Sequence, residues 1–188
     1  MMRLLIVGAG GHGKSVAEAA LASGMFTLSG FLDDQVKNVW GFPVFGGTQE
    51  IAAWRTVADA AIVAIGNNGL RQQLQQKLMQ VGYTLATVIH PRAIVSPRAN
   101  VGVGSAVMAG AIIGTEAKLG MGVIVNSGAV ADHHCVVEDY GHLGVAAAMA
   151  GGAQLGAGAW MQSGSALGYG VKVPSGAILP PGSIFESE

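Results

Sequence analysis

Apolar positions follow two different rules along this chain. Up to residue 89 they come as short runs and helix faces. Leu4–Val7 is an apolar run that ends in glycines, Lys14–Ser23 reads as a helix, and Leu28–Leu32 is a second run closed by Asp33 and Asp34. A small segment around Phe42–Phe45 precedes Thr48, a candidate N-cap for a helix through Trp54. Ala61–Ile65 reads as a buried strand, Leu70, Leu74 and Leu78 mark one face of a helix that Gly82 ends, and Thr84–Ile89 is the last strand. This alternation predicts a small parallel α/β domain of Rossmann-like type.

From Val95 onward the rule changes to a period of six. Every sixth residue from Val95 to Phe185 is apolar, sixteen positions without an insertion. The position two earlier is small, as at Ala99, Ser105, Ala111, Cys135 and Ala153. A hexapeptide period of this kind predicts a parallel β-helix. It resembles the hexapeptide-repeat acyltransferases, whose left-handed β-helix of triangular section implies eighteen residues per coil and about five coils here. In each short strand the small and aliphatic residues then point inward and the residue between them outward. Cys135 falls at an inward position, as a core thiol rather than a nucleophile.

Sorted by every third hexad, the outward residues form three faces. The first carries Asn100, Lys118, Val136, Gln154 and Lys172, the second Ala106, Ile124, His142, Trp160 and Ile178, and the third Ile112, Val130, Ala148, Ala166 and Ile184. Two apolar faces of three are not expected to stay in water. A homotrimer in which each second face meets a neighbour's third face would cover both. The switch between the two rules divides the chain near His90-Pro91, into 1–90 and 91–188.

Composition agrees with this division. Charged residues are only 11% of the chain, apolar residues 51%, and 30 residues are Gly, with a net charge of −1 and a mean hydropathy of +0.47. Residues 1–94 hold seven of the ten basic groups. The absence of a basic stripe argues against nucleic acid as a partner. Leu143–Met161 is uncharged and long enough for a membrane span, but it is rich in glycine and consists of successive hexads, so no membrane insertion is expected. Met1-Met2-Arg3 leads into a strand-like run instead of a signal peptide, which points to a cytoplasmic protein.

The first candidate chemistry is the turn Gly8-Ala9-Gly10-Gly11-His12-Gly13, between the first strand and the first helix. It fits the dinucleotide fingerprint, whose glycines let phosphate approach the N–H groups of a helix N-terminus. Asp33 and Asp34 stand some twenty residues on, where a ribose-binding acid belongs. The same stretch satisfies the P-loop expression through Lys14 and Ser15, but ninety residues supply too little sheet for that fold. Among the histidines, His90 precedes a proline at the junction, His133 and His134 occupy a turn between the third and first faces, and His142 projects from the second face. In the expected trimer His133 and a neighbour's His142 would converge on one cleft.

Several stretches carry a sharper resemblance. These are Gly8–Gly13, Phe31-Leu32-Asp33-Asp34, Ala64-Ile65-Gly66-Asn67-Asn68 with Arg71, Ile89-His90-Pro91, Asn126-Ser127, Asp132-His133-His134-Cys135, and Gly141-His142 with Ala150-Gly151. The chain resembles the NeuD/PglD-type sugar acetyltransferases. The resemblance implies an N-terminal domain that holds a nucleotide-activated amino sugar and a trimeric β-helix with acetyl-CoA between subunits. It implies that Gly8, Gly10, Gly11, His12, Gly13, Asp33, Asp34, Asn67, Asn68, Arg71 and Asn126 serve the sugar nucleotide. His142 and Gly151 would contact the coenzyme, joined by Trp160 on the face of His142. His133 takes the place of the catalytic histidine, with Asp132 and His134 beside it, and no metal is implied.

Two departures from the pattern stand out. Several relatives carry a carboxylate directly after the catalytic histidine, where this chain has His134, so Asp132 or Asp139 could orient the imidazole, or neither. The C-terminal tail that often contributes to the coenzyme site does not follow Phe185. The expected reaction is direct N-acetylation of the amine of a nucleotide-linked sugar with His133 as general base. Alternatives are O-acetylation of sialic acid or another sugar hydroxyl, a zinc carbonic-anhydrase-like site built from His133, His134 and His142, and a non-catalytic nucleotide-sugar sensor.

Overall fold

The structure, a computed structural model, describes residues 1–186. The first part is a parallel five-stranded sheet of β1 (Met2–Val7), β2 (Phe26–Leu32), β3 (Val44–Gly46), β4 (Ala60–Val63) and β5 (Thr84–Leu85), in the order β3-β2-β1-β4-β5. Side chains of β1 alternate between two cores, as a strand covered on both faces requires. Leu4 and Ile6 pack with Val16, Ala17 and Ala20 of α1 (Gly11–Ala22). Leu5 and Val7 pack with Leu74 and Leu78 of α2 (Asn68–Gln80) and with Ile51.

Local chemistry explains the differences from the expected elements. The segment 48–54 is a 3-10 helix whose N-cap is Gly47, not Thr48. Glu50 Oε1 accepts the Gly47 N–H at 2.8 Å, and Thr48 instead donates its N–H and hydroxyl to Asp34. The expected strand Thr84–Ile89 divides in two because its partner changes. Ala86 N–H donates to Ala61 of the sheet, whereas Val88 N–H donates to Ser105 of the next coil. Val88–Ile89, which pairs with Ala106–Val107, is therefore the first strand of the second part and lies before residue 91.

That second part is a left-handed β-helix of two-residue strands. Ile112 pairs with Val130, and Val130 with Ala148, so each coil takes eighteen residues. Its three faces are parallel sheets of six, five and six strands. Inward rows such as Val107, Val125 and Leu143, with small residues such as Ala129, Cys135 and Ala153 beside them, fill the interior. Leu143–Met161 runs around this solenoid, and no helix among the described residues is long and apolar enough to cross a membrane.

The second face corrects an expectation. It does not wait for a neighbouring subunit along its whole length, because the α/β domain of the same chain covers it. Val88, Ala106 and Met108 share one core with α1, and Ala106, Ile124 and His142 are all buried. Only its far end, with half-buried Trp160 and exposed Ile178, is open. The third face keeps its apolar residues outward, with Ile94 65% and Ile184 71% exposed.

Candidate active site

The glycine turn after β1 divides its labour as a phosphate-binding turn does. Gly8 has φ +106, and a Cβ there would meet Ala64 O at 2.8 Å. At Gly13 a Cβ would strike Gly8 O at 2.1 Å, so only glycine lets α1 lie this close to the strand. Gly10 and Gly11 face open space, and no side chain caps the helix. Their N–H groups and the helix dipole are accessible to an anion.

The two acids beyond β2 are largely occupied by the chain itself. Asp33 accepts N–H groups from Ala9, Gln35 and Val36 at 2.7–2.9 Å. Burial pushes its carboxyl up, but donation from Val36, Ala9 and Gln35 and the Lys37 charge outweigh that and hold it below the usual range. Asp34 accepts both donors of Thr48. Asp33 thereby ties β2 directly to the glycine turn.

Arg71 has a different place from the one expected. It is fully buried and donates to Gly122 O, Ile65 O, Gly66 O, Asn68 Oδ1 and Tyr140 O. Five acceptors use the five donors of a guanidinium, so none remains for a substrate. Asn68, one turn earlier on α2, donates to Gly158 O and accepts from Arg71, and is likewise engaged. With Gln75, whose Nε2 meets Val103 O, these residues line one face of α2 along the corner between the first and second faces of the solenoid. Arg71 and Asn68 are the clamp between domains. Asn67 caps α2, accepting the Leu70 N–H at 2.9 Å.

Beside the clamp lies a cleft with unpartnered ring nitrogens. His142 stacks on Trp160 with centroids 5.4 Å apart and planes 13° from parallel. Both nitrogens of His142, His12 Nε2 and Trp160 Nε1 are buried without a hydrogen-bond partner. Burial, then the Arg71 charge, pushes His12 down to about 4; burial, Arg71 and His12 push His142 down to about 3. Both rings are thus neutral near pH 7. Trp160 lines two hollows, one of about 330 Å³ with Asn126, His142, Gly144 and Gln162, the other of about 230 Å³ with Gly66, Asn67, Asn68 and Gly158. Unpaired buried polar atoms carry a desolvation cost that a polar ligand can remove.

His133 and His134 stand elsewhere, exposed on the corner between the third and first faces. His133 Nδ1 is 3.0 Å from His134 Nδ1, and its Nε2 is 3.8 Å from Asp132 Oδ2. His134 Nε2 meets Glu116 Oε2 at 3.1 Å. Gly151, one coil on, lies under the imidazole, where a Cβ would come within 2.3 Å of His133 Cε1. Asp139 is not the orienting group, because it sits at another corner and accepts the Met121 N–H at 2.8 Å. Glu116 was not anticipated. The hexad turns put a residue at positive φ every six positions, mostly glycine, and the four exceptions are Glu116 (φ 58), His134 (φ 57), Tyr140 and Ala146. An eighteen-residue register places Glu116 directly before His134, which was the available signal.

Within one chain His133 and His142 occupy different sides of the solenoid, and no group of three or more His, Cys, Asp or Glu side chains among the described residues could hold a metal ion. Cys135 is fully buried, and its thiol, pushed up chiefly by burial, lies 3.2 Å from Ala150 O.

This architecture defines a class, the hexapeptide-repeat transferases with an appended Rossmann-like domain. The PglD N-terminal domain family matches residues 3–78. A point mutant of perosamine N-acetyltransferase from Caulobacter crescentus, in complex with CoA and GDP-perosamine, is 37% identical with a TM-score of 0.93, covering 97% of this chain and 87% of that one. The acetyltransferase domain of PglB from Neisseria gonorrhoeae FA1090, in complex with acetyl coenzyme A, is 36% identical with a TM-score of 0.77, covering 99% and 96%. UDP-N-acetylbacillosamine N-acetyltransferase from Bacillus subtilis (strain 168) is 35% identical over 113 residues, 58% of this chain and 52% of that protein, so the match spans about half the curated relative's length. The chain belongs to the NeuD/PglD-type sugar acetyltransferase family.

Proposed function

We propose that this protein is an acetyl-CoA-dependent N-acetyltransferase acting on the amino group of a nucleotide-linked sugar. The observation that carries the reading is the row of buried, unpartnered nitrogens on His12, His142 and Trp160 at the joint between domains. Polar ligands spanning that joint would satisfy them. Residues 1–90 hold the sugar nucleotide, with its diphosphate at the N–H groups of Gly10 and Gly11 and Asp33, Asp34, Asn67 and Asn126 bordering it. Residues 91–188 hold acetyl-CoA along the solenoid, against His142, Trp160 and Gly151. Both substrates suit a cytoplasmic enzyme.

The acceptor amine must be neutral to attack the thioester. His133 Nε2 takes the amine proton as the C–N bond forms and the C–S bond breaks, and the proton then passes to the departing sulfur. The rings of His12 and His142 stay neutral and contribute hydrogen bonds rather than charge. His133 reaches a cleft only in an assembly, so the working form is a homotrimer closed through the exposed third face, His133 of one copy meeting the open end of a neighbour's second face. The test is release of CoA from acetyl-CoA with UDP- and GDP-linked amino sugars, together with the mass in solution. Acetylated amine in the product and a trimeric mass support the reading. Acetyl transfer to a hydroxyl alone, or a stable active monomer, overturns the corresponding part.

A further inference from the structure

The exposed corner holds a chain of groups that the general-base reading of His133 does not by itself use. Glu116, His134 and His133 are linked by contacts of 3.1 and 3.0 Å, and they lie on adjacent coils at one corner. Two of the three, Glu116 and His134, adopt a left-handed backbone where the neighbouring positions of the same column, Gly152 and Gly170, are glycine. We propose that Glu116 is a positioning residue that acts through His134 to fix the tautomer of His133.

A carboxylate only accepts, and with Glu116 Oε2 3.1 Å from His134 Nε2 we place a hydrogen on that nitrogen. In the neutral tautomer this selects, His134 Nδ1 has only a lone pair, and it accepts. His133 Nδ1 must therefore be the donor across the 3.0 Å contact, which leaves the lone pair of His133 on Nε2. That is the nitrogen a general base presents to an amine. Asp132, the other charged group facing the pair, is 3.8 Å from Nε2, beyond hydrogen-bond distance, and does not set the proton's place. When Nε2 takes the amine proton, Nδ1–H stays on His133, no proton passes to Glu116, and the carboxylate steadies the resulting cation through His134.

The proposal rests on His133 as base, and the test separates the two. Glu116→Gly removes the carboxylate while easing the left-handed backbone. It is expected to lower kcat about tenfold with KM for both substrates unchanged, a part of the loss from removing the base itself. Glu116→Gln keeps an acceptor oxygen and is expected to recover most of that loss. His134→Asn tolerates the left-handed backbone and still offers His133 an acceptor, but it breaks the link to Glu116. In that background Glu116→Gly should have no further effect. The 15N spectrum of histidine-labelled protein should show His133 Nε2 as the unprotonated nitrogen in the wild type and a tautomer mixture in Glu116→Gly. An unchanged kcat in Glu116→Gly, or an equal loss in the His134→Asn background, overturns the proposal while His133→Ala remains inactive. Full activity in His133→Ala overturns the general-base reading beneath it.

Discussion

Two pairs of histidines sit in opposite environments in this molecule. Half-buried His12 and buried His142 come from different domains, feel the Arg71 charge, and have buried ring nitrogens without partners. His133 and His134 are neighbours in sequence, exposed at a corner, linked to each other and to Glu116. The first pair is held neutral by burial and by a fixed positive charge. The second is open to water and backed by a negative charge. In the proposed mechanism the same side chain is thus a neutral hydrogen-bonding surface in one place and a proton acceptor in the other.

The comparison breaks most directly at His133. Replacing it by alanine should lower kcat by about two to four decades, the usual contribution of a general base, with little change in thermal stability. The same substitution at His142 should act on substrate affinity instead, because a neutral ring in a cleft binds and does not take protons. Steady-state kinetics of the two variants decide it; a fall in kcat alone for His142→Ala would merge the two pairs into one machine.

What holds the buried pair in place is the Arg71 clamp. Burial lowers Arg71 to about 10, so it remains a cation at neutral pH and makes charge-assisted hydrogen bonds to both domains. Arg71→Met keeps the apolar stem but orphans the carbonyls of Ile65, Gly122 and Tyr140. It should cost about 3 kcal/mol or more, read by denaturant unfolding, and should raise the pKa of His12 and His142 by removing a neighbouring cation. An unfolding curve that matches wild type would mean that the carbonyls find water and that the clamp is dispensable.

A gentler perturbation sharpens the exposed pair. Gly151→Ala places a Cβ within 2.3 Å of His133 Cε1, and the ring, free on its outer side, must swing away. Misplacement of a reacting group by about an ångström can lower a rate by about a hundredfold, so kcat should fall strongly while Tm barely moves. Unchanged turnover would show that the imidazole works from another rotamer.

The solenoid was legible in the sequence because a period of six leaves no freedom. Sixteen apolar positions without an insertion pointed to the inward Cys135, and the resemblance to the hexapeptide-repeat acyltransferases implied the eighteen-residue coil and its three faces. The glycine turn was legible for a similar reason, since Gly8 and Gly13 each answer a close backbone approach. Arg71 and the second face were misjudged for a common reason. A face pattern says which side chains point outward, but not whether another domain of the same chain comes to lie there. Nothing in the spacing of Asn68, Arg71 and Gln75 announces that their partners are main-chain carbonyls at one corner, 28 to 90 residues on. Glu116 was missed because its partner lies a full coil away, although the turn register points at both residues as non-glycine exceptions.

The smallest expected effect is the pH dependence of stability, and it belongs to the buried pair. His12 and His142 bind a proton near pH 6.5 when the chain is unfolded but only near 4 and 3 when it is folded. Between those values the unfolded state holds more protons, so acid favours unfolding. Stability is full above about pH 6.5 and is lost as pH falls towards 4, with a slope approaching about 1.4 kcal/mol per pH unit for each histidine. His142→Gln, which cannot titrate, should flatten the decline in the denaturation midpoint between pH 7 and pH 5. Equal slopes in wild type and His142→Gln would place His142 in water and remove the contrast between the two pairs.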